Sequence, residues 1–247
     1  MKKIIALVLA AMLVCTSAVM FSSCGGKKEL HMATNAAFEP YEYIENGEIV
    51  GIDAEMAQAI CDKLGYELVI DDMEFDSIVT AVASGKADFG MAGMTVTDER
   101  KESVDFTDSY TTATQVIIVP EKNNVVKGID DLETASIGVQ RGTTGDIYVT
   151  DDYEKSGAKI ERFSTGADAI LALTTNKVDA VVIDNEPAKA FVAQNEGIKI
   201  LDDPFADEDY AICVAKDSEL TEKINNALNE LKEDGTVKKI IDKYIGD

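Results

Sequence analysis

The chain has 247 residues, with 23 lysines and arginines against 46 aspartates and glutamates, a formal net charge of −23 at neutral pH. A surface this acidic repels polyphosphate and anionic headgroups, which excludes nucleic-acid binding and electrostatic docking to a membrane. The one histidine, His31, and four cysteines without ligand spacing lend no support to a zinc site, and no cofactor is implied.

Residues 1–23 of MKKIIALVLAAMLVCTSAVMFSSC read as a signal peptide: two lysines, an apolar run too short to span and stop, then small residues. The ending FSSC resembles a bacterial lipobox and makes Cys24 the expected lipidation site, with Phe21 where leucine is usual. Cys15 is the poorer alternative, because Val14 before it is not small. Processing leaves 21 basic residues against 46 acidic ones, a net charge of −25. Two acyl chains suffice for stable anchoring, so the expected location is the extracytoplasmic face of the cell membrane. Residues 24–28, with GGKK, form a flexible tether.

Beyond the tether, apolar runs and helical periods alternate. Strands are predicted at 29–35, 66–71, 87–94, 114–120, 136–140, 159–163, 179–184, 198–202 and 210–215. In IDAEMAQAICDKLGY, Ala57, Ile60, Cys61 and Leu64 recur at i, i+3, i+4 and i+7, with Asp53 as expected N-cap and Gly65 as stop. A C-terminal helical region carries the stripe Ile224, Leu228 and Leu231 and a break at Gly235. Cys61 and Cys213 fall on apolar faces and are expected as buried thiols rather than a disulfide. Such alternation predicts an α/β fold with largely parallel sheets.

An internal echo supports two lobes. At an offset of 91, VTAVASGKADFGMAG aligns with ILALTTNKVDAVVID, each a helix, then Gly85 or Asn176, then a strand. Gly and Asn tolerate the left-handed conformation that closes a helix. The offset also sets Gly93 opposite Asp184 at the C-terminal ends of their strands, where open α/β sheets gather ligands.

Five stretches, ATNAAFEPYEY (33–43), GIDAEMAQAI (51–60), FDSIVTAVASGKADFGMAGMTVTDERKESVDFTDSY (75–110), GVQRGTT (138–144) and VDAVVIDNEPA (178–188), carry a resemblance over nearly everything after residue 30. They resemble the substrate-binding lipoproteins of amino-acid ABC importers, the bacterial extracellular solute-binding proteins of family 3. That resemblance implies two Rossmann-like lobes of periplasmic binding protein type II topology, joined by two hinge strands. Lobe 1 would be 29–115 plus 211–247, lobe 2 would be 120–206, with hinges near 116–120 and 204–211. It also implies a monomer that serves an importer's permease and ATPase. GTTG lacks the P-loop lysine, so the ATPase belongs to partners.

In this resemblance Arg100, with the Thr95 and Thr144 N–H groups, grips the ligand carboxylate. Asp184, the Gly93 carbonyl and the Thr95 hydroxyl receive the ammonium, which has only donors to offer. Asp98 and Glu99 are read as capping and charging the first turn of the helix they begin. Phe38 and Phe75 flank the ligand side chain, and Asn35, Ala92, Gln140 and Gly145 vary with ligand choice. Neutral Asn35 and Gln140 suit a glutamine-like ligand or cystine, whereas AGM and GVQxGTT are similar to members that take basic amino acids. Glu39 adds a nearby carboxylate. A basic amino acid is slightly favoured and an acidic one disfavoured, with Arg141 the residue that could reverse this. The other classes left open are a dehydratase-like enzyme using Glu39 or Glu186, and a signalling or adhesive lipoprotein.

Overall fold

The computed structural model describes residues 28–122 and 125–246; the expected signal peptide, Cys24 and most of the expected tether lie outside the described residues. Strand β1 (Glu29–Thr34) is followed by an antiparallel meander of β2 (Ala37–Phe38), β3 (Glu42–Glu45) and β4 (Glu48–Val50). Its tight turn is Asn46–Gly47, with φ of 53° and 88°, the pair that a two-residue hairpin of this hand selects. No strand was expected there.

Helix α1 (Ile52–Leu64) buries Ile52, Met56, Ala57, Ile60 and Cys61 and stops at Gly65, φ 79°. Its N-cap is Gly51 rather than Asp53. Asp53 sits inside the first turn, fully buried, and accepts from the Gly93 N–H at 2.8 Å and the Tyr110 hydroxyl at 2.9 Å. Tertiary partners, not the helix end, account for that aspartate.

Strand β5 (Glu67–Asp72), helix α2 (Phe75–Ala83) and strand β6 (Phe89–Gly90) come next. The run expected as a strand at 87–94 keeps only two regular residues, and the chain turns at Gly93, φ 51°. Helix α3 (Asp98–Ser103) leads into β7 (Val104–Phe106). Thr97, not Asp98, caps α3 by accepting from the Arg100 N–H, while Asp98 and Glu99 do charge its first turn.

Strand β8 (Thr111–Pro120) enters a second sheet built from β9 (Ser136–Gln140), helix α4 (Thr144–Tyr153), β10 (Lys159–Phe163), helix α5 (Gly166–Thr174), β11 (Ala180–Asp184), helix α6 (Asn185–Gln194) and β12 (Ile198–Ile200). Strand β13 (Ala206–Tyr210), within the 204–211 stretch expected as a hinge strand, pairs antiparallel with Thr111–Gln115 of β8. The chain then returns through β14 (Cys213–Ala215) to helices α7 (Glu219–Glu233) and α8 (Thr236–Ile245), divided at Gly235.

The first sheet runs β5-β1-β6-β14-β7 and the second β10-β9-β11-β8-β12, each parallel where helices cross over and antiparallel where β14 or β8 enters. Gly85 and Asn176 end their helices with φ of 72° and 56°, as the echo implied. Residues 116–120, expected as a hinge, instead lie within the second sheet, paired with β11 and β12. The antiparallel ribbon of 111–115 with 206–210 leads from that sheet toward the first. In the first lobe α1 packs on α7; Ile60 and Leu228 are fully buried there, worth roughly 1.5–3 kcal/mol each. Cys61 and Cys213 are free and buried.

Candidate functional site

Between the sheets lies a narrow, largely enclosed cavity at the C-terminal ends of β1, β6, β9 and β11. Lobe 1 contributes Asn35, Phe38, Glu42, Phe75, Ala92, Gly93, Thr95 and Arg100, and lobe 2 contributes Gln140, Thr143, Thr144 and Asp184. Every residue expected at the pocket is here except Gly145. That glycine is buried in the first turn of α4, where a Cβ would stand 3.0 Å from Gln115 Oε1 and 3.1 Å from the Val182 carbonyl. It lets α4 approach the sheet and does not face the cavity.

Arg100 is held on α3 by the Thr97 cap. Its Nη1 donates to the Thr95 carbonyl at 2.7 Å and its Nη2 to the Gly142 carbonyl of the other lobe at 3.0 Å. Phe75 lies under the guanidinium, 5.4 Å from ring centroid to Cζ. Burial lowers the Arg100 pKa, yet a guanidinium stays charged, so a buried cation bonded to neutral carbonyls faces the cavity. A carboxylate would stabilise it best.

Loop 141–144 is built locally. Gly142 N–H donates to Asp146 at 3.0 Å, Arg162 donates to the same carboxylate at 2.8 Å, and the Thr143 hydroxyl donates to the Gln140 carbonyl at 2.9 Å. Thr143 then caps α4, which places Thr144 on its first turn, facing the cavity. The N–H groups of a first helical turn have no intrahelical partner.

Asp184 ends β11 and starts α6 without capping it, since its carboxylate accepts from the Tyr210 hydroxyl instead. Burial, and next the charge of neighbouring Glu208, push its pKa well above the aspartate range. Glu42 was missed in the sequence. It is fully buried and lines the cavity, where its carboxyl meets that of Asp53. Burial, and next Asp53 beside it, hold its carboxyl well above the usual glutamate range. Four buried carboxyls, Glu42, Asp53, Asp184 and Glu208, thus lie in or behind the cavity, against one buried cation among the described residues, Arg100. The imbalance favours positive charge in a ligand.

Asn35 and Gln140 meet across the cleft: Gln140 Nε2 donates to Asn35 Oδ1 at 2.9 Å, and Asn35 Nδ2 to the Met73 carbonyl at 2.8 Å. Glu39 and Arg141 do not line the cavity. Glu39 accepts from Gln194 at 3.1 Å, and exposed Arg141 stands 4.0 Å from Asp76. Glu186 is bonded to Asn185 and Lys189, at 3.0 and 2.7 Å.

Residues 30–247 match the model of the bacterial extracellular solute-binding proteins, family 3. The chain belongs to that family. Among family 3 relatives, the arginine-binding extracellular protein ArtP of Bacillus subtilis is 36% identical over 89% of this chain and 87% of its own. An ancestral arginine-binding protein bound to arginine superposes with a TM-score of 0.85, at 43% identity over 89% of this chain and 99% of that one. The same kind of ancestral protein bound to glutamine superposes with a TM-score of 0.84, at 43% identity over 90% of this chain and 100% of that one. The type II periplasmic fold of this family 3 member is thereby established.

Proposed function

We propose that the protein captures a basic L-amino acid, arginine before lysine or histidine, between its lobes and delivers it to an ABC importer as a monomer anchored through Cys24. Arg100 with the Thr95 and Thr144 backbone pairs the ligand carboxylate; Asp184, the Gly93 carbonyl and the Thr95 hydroxyl receive the ammonium. Phe38 and Phe75 flank the side chain. Because the groups come from both lobes, the ligand prefers the closed state and shifts the equilibrium toward it. The ribbon of 111–115 with 206–210 is the hinge that carries this motion.

One observation carries the choice of a basic ligand: Glu42 is a fully buried cavity carboxyl that faces a second buried carboxyl, Asp53, with no cation among the described residues beside them. Burial and the neighbouring Asp53 favour the protonated form of this carboxyl, and a second cation on the ligand would stabilise it ionised. The relatives' ligands point the same way, although the glutamine complex keeps a neutral polar amino acid as the second reading. We assign binding rather than turnover, since the acids considered for catalysis, Glu39 and Glu186, have partners outside the cavity.

The test is a thermal-shift screen against the common L-amino acids, ornithine and cystine. At a hundred times Kd a ligand adds roughly 2.7 kcal/mol, enough to raise the midpoint by a few degrees. Arginine should shift the protein most. A shift confined to glutamine would make the neutral reading correct, and no shift at all would remove amino-acid binding.

A further inference from the structure

Glu208 belongs to β13 and was not among the residues expected at the site. It is buried, and its Oε2 accepts from the Thr95 hydroxyl of lobe 1 at 2.8 Å and from Gln115 Nε2 of β8 at 3.2 Å. Its Oε1 receives no hydrogen bond. Asp184 of β11, Arg100 of α3, Tyr148 of α4 and Tyr210 of its own strand are the titratable groups around it. Nothing in β13 needs a buried acid there. Thr95 lines the cavity, and Glu208 does not.

A hydroxyl has one hydrogen to give and two lone pairs. Since Thr95 gives its hydrogen to Glu208, Oγ1 meets the Thr144 hydroxyl, 3.5 Å away, and the cavity only as an acceptor. We propose that Glu208 is a positioning residue of the ligand site: it commits the Thr95 hydroxyl as a donor to itself, so that Thr95 Oγ1 meets the ligand as an acceptor for its α-ammonium. The inference rests on the amino-acid reading above and deepens it. Glu208 also sets a second carboxyl behind Thr95 and beside Asp184, so the ammonium at the cavity wall meets Asp184 with Glu208 at its back. In Glu208→Gln the new amide can donate to Thr95 Oγ1, which turns the hydroxyl hydrogen outward against the ammonium and removes the second charge.

The experiment is calorimetric titration of the protein and of Glu208→Gln with L-arginine and with 5-guanidinopentanoate, which is arginine without its α-ammonium. The variant should weaken arginine about tenfold or more, the range of a lost charge-assisted hydrogen bond. It should change the deamino analogue less than about threefold, because that ligand brings nothing for Thr95 Oγ1 to accept. A merely structural role would weaken both alike; that result, or no weakening of arginine, overturns the proposal. If Glu208→Gln does not fold, Glu208→Asp, which keeps the charge but withdraws the acceptor from Thr95, is judged by the same two ligands. If the unaltered protein binds another amino acid and not arginine, the ligand reading fails while Glu208 is still tested with that amino acid and its deamino analogue.

Discussion

Gln140 of the second lobe donates to Asn35 of the first across 2.9 Å, although 105 residues separate them. Both were read as selectors of the ligand side chain, one by one. Together they form a buried tie that joins the lobes at the cavity wall. Gln140→Leu should therefore weaken closure more than selectivity, by about 1 kcal/mol, the net worth of one neutral hydrogen bond. Arginine and glutamine affinities measured on the variant should fall by the same factor, near fivefold. A change in their ratio would return Gln140 to the role of selector.

The clamp predicts an ordered pair of losses. Arg100→Ala removes the one buried cation at the site among the described residues and should cost about 2–5 kcal/mol in ligand binding. Asp184→Asn keeps an acceptor for the ammonium and should cost less. Calorimetry on both variants decides; wild-type affinity in either would dismantle the clamp.

Glu42→Gln tests the choice of ligand class. The amide keeps the shape and discards the charge, so arginine should weaken while citrulline, its neutral isostere, should not. We expect the arginine-to-citrulline preference to drop about tenfold or more, the loss of one charged hydrogen bond. An unchanged preference would mean that Glu42 does not meet the ligand's second cation.

Acid should loosen the ligand. The raised pKa values of Asp184 and Glu42 place their protonation above the usual carboxylate range, and a protonated carboxyl has no charge to offer an ammonium. Arginine affinity should fall as pH drops through those values, well before the common surface acids titrate. Affinity constant down to pH 4 would refute this.

Asp53 gives a separate and opposite signature in stability. Its pKa is pushed up to about 6 by burial, against the pull of the Gly93 N–H and the Tyr110 hydroxyl. Unfolded aspartate titrates near 3.9, so the folded state binds this proton more tightly. That contribution is full below about pH 4 and is lost as pH rises through about 6, on the order of 3 kcal/mol in all. Asp53→Asn cannot titrate and keeps an oxygen for both donors. Urea unfolding at pH 4.5 and 7 should show a smaller difference for the variant than for the unaltered protein; equal differences would contradict the assignment.

What the sequence determined by itself was local or periodic. The stripe of Ala57, Ile60, Cys61 and Leu64 marks α1, and Gly65, Gly85 and Asn176 mark helix ends, because left-handed closure restricts residue type at single positions. Arg100, Asp184 and the threonines were legible through motifs whose order spans the chain. Tertiary structure alone decided the rest. Asp53 reads as an N-cap until Gly93 and Tyr110 reach it from 40 and 57 residues away. Gly145 reads as pocket lining until Gln115 and Val182 occupy the space above it. Glu42 and Glu208 look like two of many surface acids in a chain of net charge −23. Only packing removes water from them, and a carboxyl acquires a specific role here because desolvation makes each remaining partner count.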